Sequence, residues 1–188
     1  MLKKAKHPNI VKVTGIYTPQ FLTMELADGS LDSIIRNSGL DEEKMKPLVR
    51  DVLKALAHME RKKMVHFDIK PGNIFLKKRE GRTVALLGDF GFARRYSEIK
   101  YMDYTVGTER YMSEEMSSGT LSRLKRNDIY SLGVTMKEMR VGMKKSEVNT
   151  LFDKQASAEL KDFVDCALKS ANKRPSAKKL LKHKWFKC

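Results

Sequence analysis

The sequence predicts an α+β fold, mainly helical, in which a few strands come first and helices follow. Two short apolar runs near the start, Ile10 to Tyr17 and Phe21 to Leu26, have strand length and strand composition. A second strand pair, Ile74 to Lys77 and Val84 to Leu87, flanks a polar turn at Lys78 to Arg82. Beyond these, apolar residues recur at three- and four-residue spacing in the stretches that begin at Asp41, Asp128 and Ser157, which is the period of one buried helical face.

Taken in order, Leu2 to Asn9 reads as the last turn of a helix stopped by Pro8, with lysines suited to the negative end of the helix dipole. Thr18-Pro19 separates the first two strands, and Ala27-Asp28-Gly29-Ser30 breaks the pattern after them. Leu31, Ile34 and Ile35 then give a short helix closed by Asn37-Ser38-Gly39. From Asp41, the residues Met45, Leu48, Val49, Val52, Leu53, Leu56 and Met59 line one face of a long helix, in which Pro47 predicts a kink or a later start. Residues 88 to 126, with Gly88, Gly91, Gly107 and Gly119, are turn-rich and predict a long functional loop. Asp128 to Met139 reads as a buried helix, and Ser157 to Leu168 and Ser176 to His183 as two more amphipathic ones.

The chain has 188 residues, 41% of them apolar, which suits one good core or two small lobes. No apolar run approaches the ~20 residues of a membrane span and the N-terminus lacks a signal-peptide core, so no membrane span is expected and an intracellular protein, cytoplasmic or nuclear, is. Cys166 and Cys188 have no metal-ligand spacing and are too few for a disulfide framework. The net charge of +15 favours acidic partners. Much of it sits in scattered helical lysines and in the tail Lys178, Lys179, Lys182, Lys184 and Lys187, without the aromatic interleaving of a single-strand binding platform. A solvated basic face is therefore expected rather than a nucleic-acid site.

The chemistry is concentrated in Val65 to Leu76. Here Asp68, Lys70 and Asn73 place a carboxylate, an ammonium and a carboxamide at fixed offsets. A carboxylate can accept a proton from an attacking hydroxyl, a lysine can neutralise a transferring phosphoryl group and an asparagine can ligate a metal ion. Taken alone, such a loop is also what a polar turn at a strand edge looks like. The later Gly88-Asp89-Phe90-Gly91 changes that balance, because a strand pair joining the two motifs would bring two carboxylates and an amide to one nucleotide-bound metal.

With both motifs in place, the chain resembles the eukaryotic protein kinases, from His7-Pro8-Asn9-Ile10 to Trp185-Phe186. The resemblance implies a protein-kinase-like fold: residues 1–27 a remnant of the small lobe, with the end of a helix, two strands and a hinge, and residues 28–188 the large lobe. It implies ATP and Mg2+ as cofactors, with Asp68 as catalytic base, Lys70 as the phosphate-stabilising lysine of the serine/threonine type, and Asn73 and Asp89 as magnesium ligands. Glu25, Leu26 and Ala27 match the hinge that holds adenine through its backbone, Met24 takes the gatekeeper position, and Phe75 joins the nucleotide-binding set. Gly107 to Glu115 matches the substrate-docking loop, with Thr108 placed to contact Lys70 and Asp68, Glu114 standing where proline is usual, and Glu115 paired with Arg174. Asp128 matches the aspartate that braces the catalytic loop, and Leu2, Val13, His66, Phe90 and Asp128 fit the family's regulatory spine.

Two departures from the family pattern stand out. Phe67 replaces the usual arginine before the catalytic aspartate, so no cation is there to clamp a phosphorylated activation loop, and Ser97, Tyr101, Tyr104 and Thr105 read as ordinary loop residues. In addition, no Gly-x-Gly-x-x-Gly occurs in the chain, and Lys3, Lys4 and Lys6 do not occupy the position of the strand lysine that holds the α- and β-phosphates. Ala55 to Leu76 is most similar to the Wee/Myt group, which implies a cell-cycle kinase acting on a cyclin-dependent kinase, with tyrosine as an acceptor beside serine and threonine. The expected function is thus ATP-dependent phosphoryl transfer to a protein substrate. Its alternatives are a non-catalytic kinase-like module, in which a partner covers the exposed small-lobe strands, and a basic nucleic-acid binder.

Overall fold

In the computed structural model, residues 6–17, 22–99, 106–117, 125–143 and 147–187 are described. Strands β1 (Val13–Ile16) and β2 (Leu22–Met24) form a two-stranded antiparallel ribbon. A three-stranded sheet follows in the order β3 (Gly29–Ser30), β5 (Ile74–Arg79), β6 (Arg82–Leu87), and β4 (Met64–Val65) pairs with β7 (Arg94–Arg95). The helices are α1 (Leu31–Ile35), α2 (Glu42–Arg61), α3 (Tyr96–Ile99), α4 (Glu114–Ser117), α5 (Asn127–Val141), α6 (Val148–Gln155), α7 (Ala158–Leu168) and α8 (Ala177–Leu180).

The strands depart from the sequence reading in instructive ways. The run from Ile10 to Tyr17 is divided: only Val13–Ile16 pairs with β2, whereas Ile10 bridges Leu87 in parallel, with Val11 N–H donating to the Leu87 carbonyl at 2.9 Å and Leu87 N–H to Asn9 at 2.9 Å. Likewise β2 is shorter than Phe21 to Leu26. Gly29 and Ser30, expected only to interrupt the pattern, carry β3 against Leu76 and Phe75. The turn expected over Lys78 to Arg82 contracts to Glu80-Gly81, both at positive φ (48° and 77°), because a two-residue turn of that hand matches strand twist.

The long helix holds as expected, with Met45, Leu48, Val49, Val52, Leu53, Leu56 and Met59 all buried. It starts at Glu42 and runs through Pro47 as one element, so the later start is not observed; Lys44 and Met45 N–H both donate to the Asp41 carbonyl. Asp51 on its buried face takes Arg82 at 2.9 Å and the Ala85 N–H at 3.3 Å, which pins β6 to α2. Residues 88 to 126 hold β7, α3, a 3₁₀ turn at Glu109–Tyr111 and α4, so this segment is not the bare loop expected. Helix α6 was not expected, and α8 is shorter than Ser176 to His183. The helix end predicted at Leu2 to Asn9 lies largely outside the described residues, and Lys6 and His7 are not helical.

One core unites α2, α5, α7 and the three-stranded sheet. Burial on every side explains α5, whose Ile129, Leu132, Met136 and Met139 are all enclosed. Glu42 ties the first turn of α2 to the start of α7 and to Trp185: it accepts from Ser157 N–H, Ser157 Oγ and Trp185 Nε1, each at 2.8 Å. Among the described residues no helix is long and apolar enough to cross a membrane.

Candidate active site

The loop carrying Asp68 leaves β4 and enters a 3₁₀ turn, Pro71–Asn73, that starts β5. Its shape is set from outside. Asp128, in the first turn of α5, accepts the backbone N–H of His66 at 2.8 Å and of Phe67 at 2.9 Å. Those bonds hold Phe67 at φ 69°, a conformation that a bulky residue adopts only under tertiary constraint. Burial pushes the Asp128 carboxyl up to about 7, with the two N–H donors acting in the opposite direction. His66 Nε2 lies 2.9 Å from the Gly88 carbonyl, which can only accept, so this nitrogen carries the proton and Nδ1 accepts from Asp68 N–H at 3.3 Å. A neutral imidazole meets both demands, and burial pushes its pKa down to about 4. The ring also packs edge-on against Phe90, with centroids 4.8 Å apart.

Around Asp68 the structure gathers the residues the sequence nominated. Its Oδ1 accepts from Thr108 Oγ at 2.7 Å, and its Oδ2 from Asn73 Nδ2 at 2.7 Å and from Lys70 Nζ at 2.9 Å. Lys70 Nζ also donates to Thr108 Oγ at 2.7 Å, so the hydroxyl links ammonium and carboxylate. Burial pushes the Asp68 carboxyl up, but Lys70, Thr108 and Asn73 outweigh it and hold the group below its usual range. Asp68 is therefore ionised at neutral pH. A carboxylate offers about four lone-pair sites and three are occupied, which leaves one for an incoming hydroxyl.

Asn73 is fixed by the same network, since Nδ2 donates to both the Asp68 carbonyl, at 2.8 Å, and its carboxylate. That orientation turns Oδ1 away from Asp68. Asp89 is exposed, at φ 52°, with Oδ1 accepting from Gly91 N–H at 3.2 Å. An amide oxygen and a carboxylate make a hard oxygen donor set, which fits Mg2+. Gly88, between the two motifs, lies so close to the Phe75 ring that a side chain there would collide with it.

The segment from Gly107 to Glu115 is held by its own network. Glu115 meets Arg174 at 2.5 Å, and the Arg174 side chain also donates to the Lys169 and Arg126 carbonyls, each at 3.0 Å. Tyr111 OH donates to Glu138 at 2.7 Å and Ser113 Oγ to Asn127 at 2.9 Å, two anchors onto α5 that sequence spacing did not nominate. Phe67 is buried with Val65, Ile99, Val106 and Met116, in the place where a cation was missing from the sequence pattern.

The expected hinge forms a separate group at the end of the ribbon. Met24 lies opposite Val13, Glu25 N–H donates to the Lys12 carbonyl at 2.8 Å, Leu26 is exposed and Ala27 is half-buried. Asp28 N–H donates to Leu76 at 2.9 Å, which connects this group to β5 and so to the catalytic loop. The Glu25 carboxylate has a structural task that sequence reading missed: it takes Lys12 N–H, Lys77 and Arg79 and so ties the ribbon to the β5–β6 hairpin. Leu2, Tyr101, Tyr104, Thr105 and Cys188 lie outside the described residues.

Comparison with known proteins bears on the family and the fold. The Protein kinase domain family model matches residues 1–186. Myosin light chain kinase A of Dictyostelium discoideum is 29% identical, the match taking in 100% of this chain and 71% of that protein. A Wee1-like protein kinase of Arabidopsis thaliana is 32% identical over 96% of this chain, and calcium-dependent protein kinase 5 of Plasmodium falciparum (isolate 3D7) is 28% identical over 100% of it. The chain spans 38% and 37% of the lengths of these last two. The crystal structure of the Rad53 kinase domain and SCD2 superposes with a TM-score of 0.80 at 23% identity, covering 100% of this chain and 73% of that one. With the α+β kinase fold found by structure and the family model spanning nearly every residue, the chain belongs to the protein kinase family.

Proposed function

We propose that the protein transfers the γ-phosphoryl group of ATP to a serine or threonine hydroxyl of a protein substrate. The observation that carries this reading is the closed network of Asp68, Lys70, Asn73 and Thr108. Asp68, ionised and with a free lone pair, orients the acceptor hydroxyl and takes its proton as the bond to phosphorus forms. Lys70, held by Thr108, faces the same acceptor position and balances charge on the transferring group. Asn73 Oδ1 and Asp89 would hold Mg2+, which supplies charge neutralisation between the phosphates. Met24, Glu25, Leu26, Ala27 and Phe75 would line the adenine side, with residues 1–27 acting as small lobe and 28–188 as large lobe.

Phosphate transfer from labelled ATP, compared with Asp68→Asn, tests the mechanism. A fall of about 10²–10⁴-fold is expected for loss of the base; transfer that survives the substitution would refute the assignment. The Wee1-like relative supports the finer proposal of a cell-cycle role with a cyclin-dependent kinase as acceptor. Phosphorylation of such a kinase on tyrosine, set against a serine-containing peptide, decides between the two acceptor classes.

A second reading has an observation of its own. Among the described residues β1–β2 presents exposed apolar side chains, as a kinase-like binding module would. A Mg2+-dependent rise in melting temperature with ATP, lost in Asp89→Asn, separates a nucleotide site from a bare scaffold.

A further inference from the structure

A second cluster of metal-binding side chains, Asp162, Cys166 and His183, shares no residue with the phosphoryl-transfer site. Asp162 and Cys166 are four residues apart on α7 and so lie on one face, and His183 reaches them from the turn that follows α8. Their ligand atoms all lie within 4.8 Å of one another, and His183 Nε2 is 3.3 Å from Asp162 Oδ2. Donors on a tetrahedral metal stand about 3.3–3.7 Å apart, given bonds of about 2.0–2.3 Å, so small side-chain rotations close the three onto one ion. The spacing of Cys166 in the sequence gives no sign of this, because tertiary register brings in the third group.

The His183 ring is held in place. It packs edge-on against Phe163, with centroids 5.0 Å apart, and its Nδ1 accepts the Trp185 N–H at 3.3 Å. The neutral ring therefore carries its proton on Nε2, aimed at Asp162. Cys166 and His183 line a cavity of about 450 Å³, which gives an ion access and leaves room for a water as fourth ligand. Lys169, Lys173, Lys179 and Lys182 border the same cavity, and Lys184 reaches Asp162 Oδ2 at 3.1 Å. These ammonium groups oppose a bare cation. A thiolate and a carboxylate, however, bring two negative charges that cancel a divalent ion, and among the described residues no contact falls on Asp162 Oδ1.

We propose that Asp162, Cys166 and His183 form a binding site for Zn2+, completed by water. The mixed oxygen, sulfur and nitrogen donor set suits this borderline-soft ion and disfavours Mg2+, whose ligands are oxygens. On binding, Cys166 Sγ gives its proton to solvent and the imidazole proton moves from Nε2 to Nδ1. The second step forfeits the bond from Trp185 N–H, which at 3.3 Å is already long. That loss, the lysine border and a set of only three protein ligands make the binding micromolar, weaker than in a closed four-ligand site. The ion ties α7 to the chain beyond α8. The inference is independent of phosphoryl transfer.

The probe is Co2+, added to the whole chain without ATP, because a cobalt–thiolate bond gives a near-ultraviolet charge-transfer band that an all-oxygen site at Asn73 and Asp89 does not give. Saturation in the micromolar range and loss of the band on adding Zn2+ are expected. Cys166→Ser should abolish the band, and Cys188→Ser should leave it intact. Asp162→Asn and His183→Gln should each weaken binding at least tenfold, the least that losing even an outer-shell partner costs a metal site. Melting curves check that the variants fold, and the Asp162 side chain is 48% exposed, so Asp162→Asn keeps the test open if Cys166→Ser does not fold. No band with Co2+, a band that survives Cys166→Ser, or a band lost in Cys188→Ser overturns the proposal. So does an affinity unchanged by Asp162→Asn or by His183→Gln.

Discussion

The carbonyl oxygen of Phe67 lies within 3.0 Å of where a β-carbon on Gly107 would stand, so the loop that carries Asp68 and the segment that carries Thr108 touch backbone to backbone. Gly107 also sits at φ 110°, outside the range of other residues. Next to it, Thr108 bonds Asp68 and Lys70. Gly107→Ala must therefore push the segment away and stretch both bonds at Thr108. The expected cost is about 1–3 kcal/mol of stability, with at least a tenfold loss of phosphate transfer. Melting curves and a radiometric assay check this, and an unchanged rate in the Gly107→Ala variant would show the contact to be dispensable.

Phe67 replaces an electrostatic clamp by an apolar one. With its ring among Val65, Ile99, Val106 and Met116, residues on both sides of positions 100–105 pack on the loop that carries Asp68. Phosphatase treatment should leave the transfer rate unchanged. Phe67→Leu should cost about 1–2 kcal/mol, for a smaller side chain in the same pocket. Phe67→Arg should cost more, because it places a cation among apolar side chains. A phosphatase-sensitive rate would count against the apolar clamp.

Much of this site was legible because its chemistry is local. Asp68, Lys70 and Asn73 lie within one turn of chain, and Asp89 follows a single hairpin. The Thr108 and Arg174 contacts came from resemblance to the family, and the structure brings both together. What sequence could not show are pairings set by tertiary register. Ile10 looked like the start of a strand beside β2, yet it bridges Leu87. Glu25 looked like a backbone contact, yet its carboxylate gathers Lys77 and Arg79 from β5. The short segments β3, β4 and β7 have two residues each, too few for any periodicity to register.

Acid should affect His66 and Asp128 in opposite senses. The His66 pKa is depressed to about 4 from 6.5, so below 6.5 the unfolded chain takes a proton that the folded chain refuses. Stability from this group is present above 6.5 and falls as pH drops toward 4, by about 3 kcal/mol in full. Burial likewise lowers His7, His58 and His183. Asp128 is raised to about 7 from 3.8, so its folded form gains a proton first and stability from it rises as pH falls through 7. Asp128→Asn removes that gain. Denaturant unfolding between pH 7.5 and 5 should then show a steeper acid loss in the variant than in the parent, and parallel curves would mean that Asp128 stays ionised throughout.

Glu115 and Arg174 form a buried ion pair that joins the docking segment to the chain beyond α7. The Arg174 side chain is 1% exposed and serves the Lys169 and Arg126 carbonyls as well as Glu115, with Tyr130 beneath its guanidinium. Glu115→Gln leaves that guanidinium without its counter-ion, for which about 3–5 kcal/mol is expected. Arg174→Met removes the carboxylate's ion-pair partner and the donor to two carbonyls, so its cost should be at least as large. If the loss comes mainly from an uncompensated charge, the Glu115→Gln/Arg174→Met double variant must be less damaged than the two single losses added together, with a coupling of about 1 kcal/mol or more. Urea unfolding of the four proteins measures this. Additive losses would mean that the two side chains act separately, Arg174 through the carbonyls and Glu115 through its helix turn.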